Sequence, residues 1–509
     1  LSRRQRQMCI RDRLHCKHIT RMISYKYKKM VLIGRKNMFK QLIAGELVEG
    51  DGKPLEVINP TTGKVLEVIP TATEEQTQKA LESAQKAFES WSKKSIAERE
   101  VYIQKLVNVL DEEKEKIVSC LISETGKAAD VASYDFDMLP DCLKYYNEEV
   151  KRLNGEIVPD YDNQHINMLI RKPLGVVVCH LAWNFPLLNV GYKLGPILAS
   201  GCTCVIKPSS DTPLATMLVG EAVKKAGIPD GVVNIVVGSG AVVSKVMNES
   251  TIPSMVTMIG STGTGKKLVE QSSTSIKNYS LELGGNAPVI VMKDADAFNA
   301  GVCTADGKFG NTGQVCVAPN RIFVHESVLD EFMAGVNSFM DEIKLGSGND
   351  EGKHLVGPLV NEKALHNMES LVEDAVSKGA KIYRGGKRAE REGFFYEPTV
   401  LVNVDKTMRV YQEEIFGPIM PIYSFNDEAD IVAMANDTEY GLAAYVYTKD
   451  LSMAMKLSQE IDAGSVCVNE PFYAYQLPHG GCKQSGIGKD CSRIGLEEYY
   501  TVQRISIKL

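Results

Sequence analysis

Leu174-Gly175-Val176-Val177-Val178-Cys179-His180-Leu181-Ala182 is apolar almost throughout and follows Pro173. A short apolar run of this kind reads as one buried strand. Outward from it the pattern alternates. Asn189–Ala199 carries helical spacing, Cys202–Lys207 reads as a strand, and Pro213–Lys225 as a helix. Val233–Val237 and Met255–Ile259 read as strands again. Strands and helices in this rhythm imply βαβ units and a parallel, doubly wound sheet. A second region of the same kind runs from Ala287 to about Val466. Its strands are expected at Ala287–Val291, Arg321–His325, Lys381–Tyr383, Ile419–Phe425, Ala443–Tyr447 and Ser465–Asn469.

Upstream, Lys40–Val68 consists of short apolar runs broken by Gly45, Gly52, Pro54, Pro60 and Gly63, which is strand-and-turn chemistry. Thr73-Glu74-Glu75-Gln76 forms a capping box ahead of the apolar series Leu81, Ala84, Phe88. Helical pattern then continues to about Glu124, with Gly126 as its stop. A further helix is expected over roughly Asp130–Leu153.

A chain of 509 residues is too long for one ordinary core, so two or three domains are expected. No apolar stretch approaches the roughly 20 residues that span a bilayer. Residues 1–37 hold twelve Lys or Arg against one Asp, a net of +11; the remainder holds 46 basic and 63 acidic residues, a net of −17. An acidic body argues against a nucleic-acid face and for an enzyme of small molecules. Residues 1–37 read as a non-native or disordered basic extension. Leu1–Arg13 resembles translated adapter sequence, and Met30 or Met38 is the expected start. The competing reading is a mitochondrial transit peptide, which would be richer in Ala and Ser and would show a helical face.

The twelve cysteines show no zinc spacing. Cys202-Thr203-Cys204 lacks a second pair or a His cluster and fits a buried strand, so no metal is expected. The thiols read as reduced and the compartment as cytoplasmic.

Three segments carry reactive groups. Phe309-Gly310-Asn311-Thr312-Gly313-Gln314-Val315-Cys316 ends in a thiol, Leu281-Glu282-Leu283-Gly284-Gly285-Asn286 frames a carboxylate, and Trp183-Asn184-Phe185-Pro186 supplies an amide. Singly, each has an ordinary explanation: a small buried hydrophobe, a strand-edge carboxylate facing water, a turn asparagine. Together they are what acyl chemistry through a thioester needs. The thiolate attacks a carbonyl carbon, an amide N–H steadies the oxyanion, and a carboxylate activates water.

Gly260-Ser261-Thr262 follows the strand Met255–Ile259 and precedes a helix, where a hydroxyl and free amides favour pyrophosphate oxygens. Gly238-Ser239-Gly240 begins a dinucleotide fingerprint but lacks its third glycine. Gly260–Lys267 approaches a P-loop, yet Lys267 stands where a magnesium-binding hydroxyl belongs, and no acidic strand end completes it. The ATPase reading is therefore the weaker one.

These segments occur in one order with Lys207-Pro208-Ser209, Glu413-Glu414-Ile415-Phe416-Gly417-Pro418 and Gly480-Gly481-Cys482-Lys483-Gln484-Ser485-Gly486. As a set they resemble the aldehyde dehydrogenase superfamily from about Phe39 to Leu509. The resemblance implies an α/β fold of two doubly wound Rossmann-like domains with a small β oligomerisation element. Residues 38–153 and 174–284 would form an NAD(P)-binding domain and 285–469 a catalytic domain. Residues 470–498 would form a C-terminal active-site segment, and 154–173 with 499–509 the oligomerisation element. The tail alternates through Val502, Arg504, Ile505, Ser506, Ile507 and Lys508, which suits extension of a neighbour's sheet edge. A homodimer or homotetramer is expected.

The resemblance assigns Cys316 as nucleophile, Asn184 with the Cys316 backbone N–H as oxyanion donors, and Glu282 as the base that lets water release the acid. Lys193 and Asp490 match secondary proton-handling or orienting positions, although exposed charge is the plainer reading of both. NAD or NADP would be held by Lys207, Ser209, Ser210, Gly240, Gly260, Ser261, Leu283, Gly284, Glu414 and Phe416. The alternative is a coenzyme A-acylating relative. Such enzymes usually lack the base, so Glu282 favours water. Many NAD-preferring relatives have a glutamate at the position of Ser210. Serine removes its repulsion of a 2′-phosphate, and NADP is expected to be accepted.

Relatives acting on succinate semialdehyde carry arginines where this chain has Tyr192 and Gly310, so a small to medium neutral aldehyde is expected. Phe185, Tyr192 and His479 would line the substrate channel, with Phe472, Tyr473 and Tyr475 as further aromatic wall. His479 replaces a common Phe and makes the channel mouth more polar.

Overall fold

The computed structural model describes residues 39–348 and 350–509. The expectations for residues 1–37, and for a start at Met30 or Met38, lie outside the described residues.

The apolar run that opens the βαβ rhythm is a strand, Val176–His180, buried at all five positions. It lies inside an eight-stranded sheet. From one edge the order is Glu46–Val48, Gln41–Ile43, Val233–Ile235, Thr203–Lys207, Val176–His180, Pro253–Ile259, Asn278–Glu282 and Gly486–Ile487. The five central strands run parallel and the others antiparallel. Strands following Val176–His180 in sequence add first on one side, then on the other. The order thus reverses beside it, and open α/β sheets place ligands in the crevice at such a switch.

The second sheet has seven strands in the order Lys381–Arg384, Thr399–Val402, Ile419–Phe425, Pro319–His325, Ala287–Val291, Ala443–Tyr447 and Ser465–Val468. Only its first pair is antiparallel. Thr399–Val402 and Asn278–Glu282 are among the strands that escape the sequence pattern. Thr399–Val402 is only four residues long. Asn278–Glu282 is polar at three of five positions, yet its ladder with Pro253–Ile259 pairs all five residues in parallel. A third, antiparallel sheet joins Tyr500–Lys508, His165–Pro173 and Glu156–Val158. The C-terminal tail therefore pairs along nine residues with its own chain, and its outer edge has no strand partner among the described residues.

The helices start as their sequences require. Gln76 N–H donates to Thr73 Oγ1 and Thr73 N–H to Gln76 Oε1, closing the capping box of Glu74–Trp91. Ser95 and Glu98 do the same for Ile96–Thr125, which ends at Gly126. The two stretches are separate helices because the Ser95 cap begins the second one anew. The helix expected to reach Leu153 runs over Ala129–Glu149. Among the described residues no helix is long and apolar enough to cross a membrane.

One topological detail positions the site. Asn278–Glu282 ends in the first sheet and Ala287–Val291 begins in the second, so four residues carry the chain between them. The C-terminal ends of the first sheet's strands thereby face the N-terminal ends of the second sheet's strands.

Candidate active site

The helix Ala297–Phe309 ends just before a turn in which Asn311, Thr312 and Gly313 all have left-handed backbones, with φ of 48°, 60° and 71°. For residues other than glycine this costs about 1–3 kcal/mol each and persists only where the surroundings impose it. They do so here. Asn311 Nδ2 donates to the Asn184 and Gln314 carbonyls, both at 3.2 Å. Thr312 Oγ1 donates to the Gly357 carbonyl at 3.0 Å. Gln314 accepts from the Val360 N–H at 2.9 Å and donates to the Pro358 carbonyl at 3.3 Å. The turn places Cys316 between the two sheets. A Cβ on Gly313 would stand 2.2 Å from the Gly417 carbonyl oxygen.

The crossover from Glu282 to Ala287 is secured from the second sheet. Arg321, fully buried, donates to the Asn286 carbonyl through Nε at 3.2 Å and Nη2 at 3.1 Å, and also to the carbonyls of Met434 and Ala435. Asn320 Nδ2 donates to Asn286 Oδ1 at 2.6 Å and to the Glu413 carbonyl at 3.0 Å. Gly285 N–H donates to Glu414 Oε1 at 3.0 Å, and a Cβ on Gly285 would lie 2.4 Å from the Cys316 carbonyl oxygen. The glycine is what lets the Glu282 crossover, the Cys316 loop and the Glu414 segment approach one another. Sequence reading passed over Asn311, Gln314, Asn320 and Arg321. The available signal was two polar residues, Asn320-Arg321, interrupting the apolar strand Pro319–His325.

At the centre, ligand-forming atoms of Glu282, Cys316 and His479 lie within 4.8 Å of one another. Cys316 Sγ is 4.0 Å from His479 Nε2, and the same nitrogen is 3.2 Å from Glu282 Oε1. Glu282 is 3 % exposed. His479, expected in the wall of the substrate channel, lies against the Cys316 sulfur and the Glu282 carboxylate. Asn184 is buried, and its Nδ2 donates one hydrogen bond to the Gln314 carbonyl at 3.1 Å. Burial pushes the Cys316 thiol well above the usual thiol range, and the carboxylates of Glu282 and Glu414 push it further.

Lys193 and Asp490 are not exposed charges. Both are buried, and Lys193 Nζ donates to the two Asp490 oxygens at 2.6 and 2.7 Å. Burial raises the Asp490 carboxyl above its ordinary range, partly offset by Lys193. Asp490 pairs backbone to backbone with His479, so this ion pair stands directly behind the imidazole.

A cavity of about 1060 Å³ opens from Cys316, Glu282 and Asn184 along the switch point of the first sheet. All the residues expected to hold a dinucleotide line it. Lys207, Ser209 and Ser210 follow the strand Thr203–Lys207, and Gly260 and Ser261 follow Pro253–Ile259. Leu283 and Gly284 belong to the crossover, Gly240 lies across from them, and Glu414 and Phe416 come from the second sheet's side. Ser261 caps the helix Thr262–Gln271, accepting from the Thr264 N–H. The Phe416 ring meets Trp183 edge-on at 5.2 Å.

The lining suits a dinucleotide. The Lys207 ammonium donates only to the Pro208 carbonyl, at 3.3 Å, among the described residues, leaving donors for ligand oxygens. Burial pulls its pKa down to about 8, against the opposing pull of Asp211. Burial raises the Glu414 carboxyl to about 7 despite the Gly285 N–H bond. Both groups line the cavity, where a polar ligand can pair with them.

Phe185, Tyr192 and His479 lie outside this cavity. The Lys127 ammonium stands 3.9 Å over the Phe185 ring and is itself paired with buried Asp135. The Tyr192 ring is 6.1 Å and the Tyr473 ring 6.0 Å from that of His479. Tyr475 packs on Tyr145, and Phe472 is 62 % exposed.

A thiol, a carboxylate and an amide lining one dinucleotide-sized cleft between two doubly wound sheets fit an enzyme that oxidises aldehydes. The chain matches the aldehyde dehydrogenase family over residues 47–505 and belongs to it. It is 36% identical to the succinate-semialdehyde dehydrogenase [NADP(+)] of Escherichia coli, over 93% of this chain and 99% of that one. It is 37% identical to the glutarate-semialdehyde dehydrogenase of Pseudomonas putida, over 93% and 98%. The crystal structure of an E. coli NADP dependent enzyme superposes with a TM-score of 0.91 at 36% identity, covering 94% of this chain and all of that one. The chain is thus an NAD(P)-dependent oxidoreductase of aldehydes.

Gly313→Ala is expected to strain a left-handed backbone and drive a methyl group into the Gly417 carbonyl. Thermal unfolding should show a loss of about 1–3 kcal/mol, and kcat should fall by roughly 10²-fold as Cys316 is displaced.

Proposed function

We propose that the enzyme oxidises a small to medium neutral aldehyde to its carboxylic acid through a thioester on Cys316 that water hydrolyses. The observation that carries this reading is the meeting of Cys316, Glu282 and Asn184 at one end of the cavity. Cys316 Sγ adds to the carbonyl carbon. The Asn184 amide, with one N–H already engaged by Gln314, uses the second for the oxyanion together with the Cys316 backbone N–H. A dinucleotide bound along the cavity supplies the nicotinamide that accepts the hydride lost when the adduct becomes a thioester. Glu282 then takes a proton from water, which attacks the thioester and frees the acid.

A neutral substrate is supported by the absence of arginine at Tyr192 and Gly310. Nearby lysines are also committed elsewhere, Lys193 to Asp490 and Lys127 to Asp135. The relatives named above act on semialdehydes that carry a carboxylate, so this is where the chain departs from them. NADP acceptance is supported by Ser210 beside Lys207, and the E. coli relative is named for NADP(+). The free outer edge of Tyr500–Lys508 fits pairing with a second copy in a homodimer or homotetramer. The ten cysteines among the described residues are unpaired, which fits a reducing, cytoplasmic setting.

Cys316→Ser should abolish turnover while NADPH binding, read by fluorescence, persists; full retained activity would overturn the scheme. Glu282→Gln should give a burst of reduced cofactor of about one equivalent followed by little turnover, since the acyl-enzyme accumulates. Formation of acyl-coenzyme A by the wild type at a rate matching hydrolysis would instead favour the acylating alternative.

In assays with both cofactors, kcat/KM should not favour NAD by more than roughly a hundredfold, about 2.7 kcal/mol. Lys207 has its pKa lowered to about 8, so it is charged below that pH and neutral above it. KM for NADP should therefore rise as pH increases through 8, with a smaller rise for NAD, which has no 2′-phosphate to lose its cation. Across a panel of aldehydes, a neutral aldehyde of matched length should exceed succinate semialdehyde in kcat/KM. The reverse order would refute the substrate class.

A further inference from the structure

Cys316 is poorly placed to ionise by itself. Cys316 is half-buried, and the charges beside it are the carboxylates of Glu282 and Glu414, so a thiolate would form beside like charge. The site needs a cation near Sγ. Lys193, the nearest ammonium behind the imidazole, is spent on Asp490 at 2.6 and 2.7 Å. The group that does reach the sulfur is His479, whose Nε2 is 4.0 Å from Cys316 Sγ and 3.2 Å from Glu282 Oε1.

One nitrogen facing both a sulfur and a carboxylate oxygen constrains its own protonation. A bare Nε2 would point its lone pair at a carboxylate, so the contact with the sulfur calls for Nε2–H, and the carboxylates of Glu282 and Asp490 favour a second proton on Nδ1. We infer that His479, as an imidazolium, is the counter-ion of the Cys316 thiolate and bridges the nucleophile to Glu282. This rests on Cys316 being the nucleophile. In the step concerned, the S–H bond breaks and its proton passes to water. The imidazolium keeps both of its own protons, so the pair ends as thiolate and cation. When the thioester is hydrolysed, the sulfur leaves as thiolate toward the same N–H. His479 is thus a catalytic residue in contact with the reacting atom.

The groups facing His479 agree with a charged ring. Glu282 approaches from the strand Asn278–Glu282 and Cys316 from the left-handed turn. Asp490 lies across the backbone bridge with Lys193 behind it, and the rings of Tyr192 and Tyr473 flank the imidazole. Burial lowers the imidazole pKa and Lys193 opposes protonation. The nearby carboxylate of Glu282, aided by Asp490, outweighs them and raises it above its ordinary value. Because thiol and imidazole interact this closely, the two titrate as a pair.

The test measures alkylation of Cys316 by iodoacetamide against pH, with neither aldehyde nor cofactor present, following the Cys316 peptide by mass spectrometry. His479→Phe removes the charge and the donor, and His479→Gln keeps a neutral donor. The first inflection of the wild type should lie at least about one pH unit below that of either variant, making Cys316 alkylation about tenfold faster at pH 6.5. Identical profiles overturn the proposal. A Gln variant that matches the wild type also overturns it, since hydrogen bonding without charge would then suffice. NADPH binding verifies that each variant is folded. If neither variant folds, the wild type alone decides: a first inflection above about 8.5, the value of a free thiol, refutes the counter-ion, and one below about 7.5 supports it. The outcome is separable from the nucleophile assignment, whose failure would instead show as turnover surviving Cys316→Ser.

Discussion

The architecture depends on the four-residue crossover between Glu282 and Ala287. A strand of one sheet ends there and a strand of the other begins, so any slip would separate Glu282 from Cys316. The segment is too short to hold itself. Its carbonyls and side chains are bound by Arg321 and Asn320, buried polar residues at the start of the neighbouring strand. A buried guanidinium is costly unless its donors are met. Here backbone carbonyls from the crossover and from the Met434–Asp437 segment meet them. Removing either partner would leave the other unsatisfied, so the cost of burial becomes a reason for the geometry to persist.

Around this junction the enzyme concentrates charge that water would otherwise dilute. Glu282, Asp490 and Lys193 are buried in or beside the cleft, and Glu414, Lys207 and His479 are partly buried there. Some are neutralised inside the protein, as Lys193 by Asp490. Others, Lys207 and Glu414, line the cleft, where burial lowers the one pKa and raises the other. The same burial opposes ionisation of the thiol and gives a neighbouring imidazole its leverage.

The strained turn before Cys316 belongs to the same design. Three successive left-handed residues are unfavourable in isolation. They are held because Asn311, Thr312 and Gln314 reach across to Asn184, Gly357, Pro358 and Val360. The Cys316 loop and the Asn184 amide are thereby tied to one another through Gln314 and Asn311.

By itself the sequence determined what local chemistry determines. The apolar run at Val176 could only be satisfied as a buried strand among helices, the Thr73 capping box starts its helix, and Cys316, Glu282 and Asn184 are recognisable by their immediate neighbours. Tertiary structure alone decided what depends on distance across the chain. Asn278–Glu282 is too polar to announce itself and becomes a strand through its ladder with Pro253–Ile259. Lys193 and Asp490 look like surface charges until folding buries them together, 297 residues apart. His479, 163 residues after Cys316, reads as channel wall until the fold sets it beside the sulfur. The physical reason is common to all three: burial, pairing and protonation belong to the space around a group, and a linear pattern records only its neighbours along the chain.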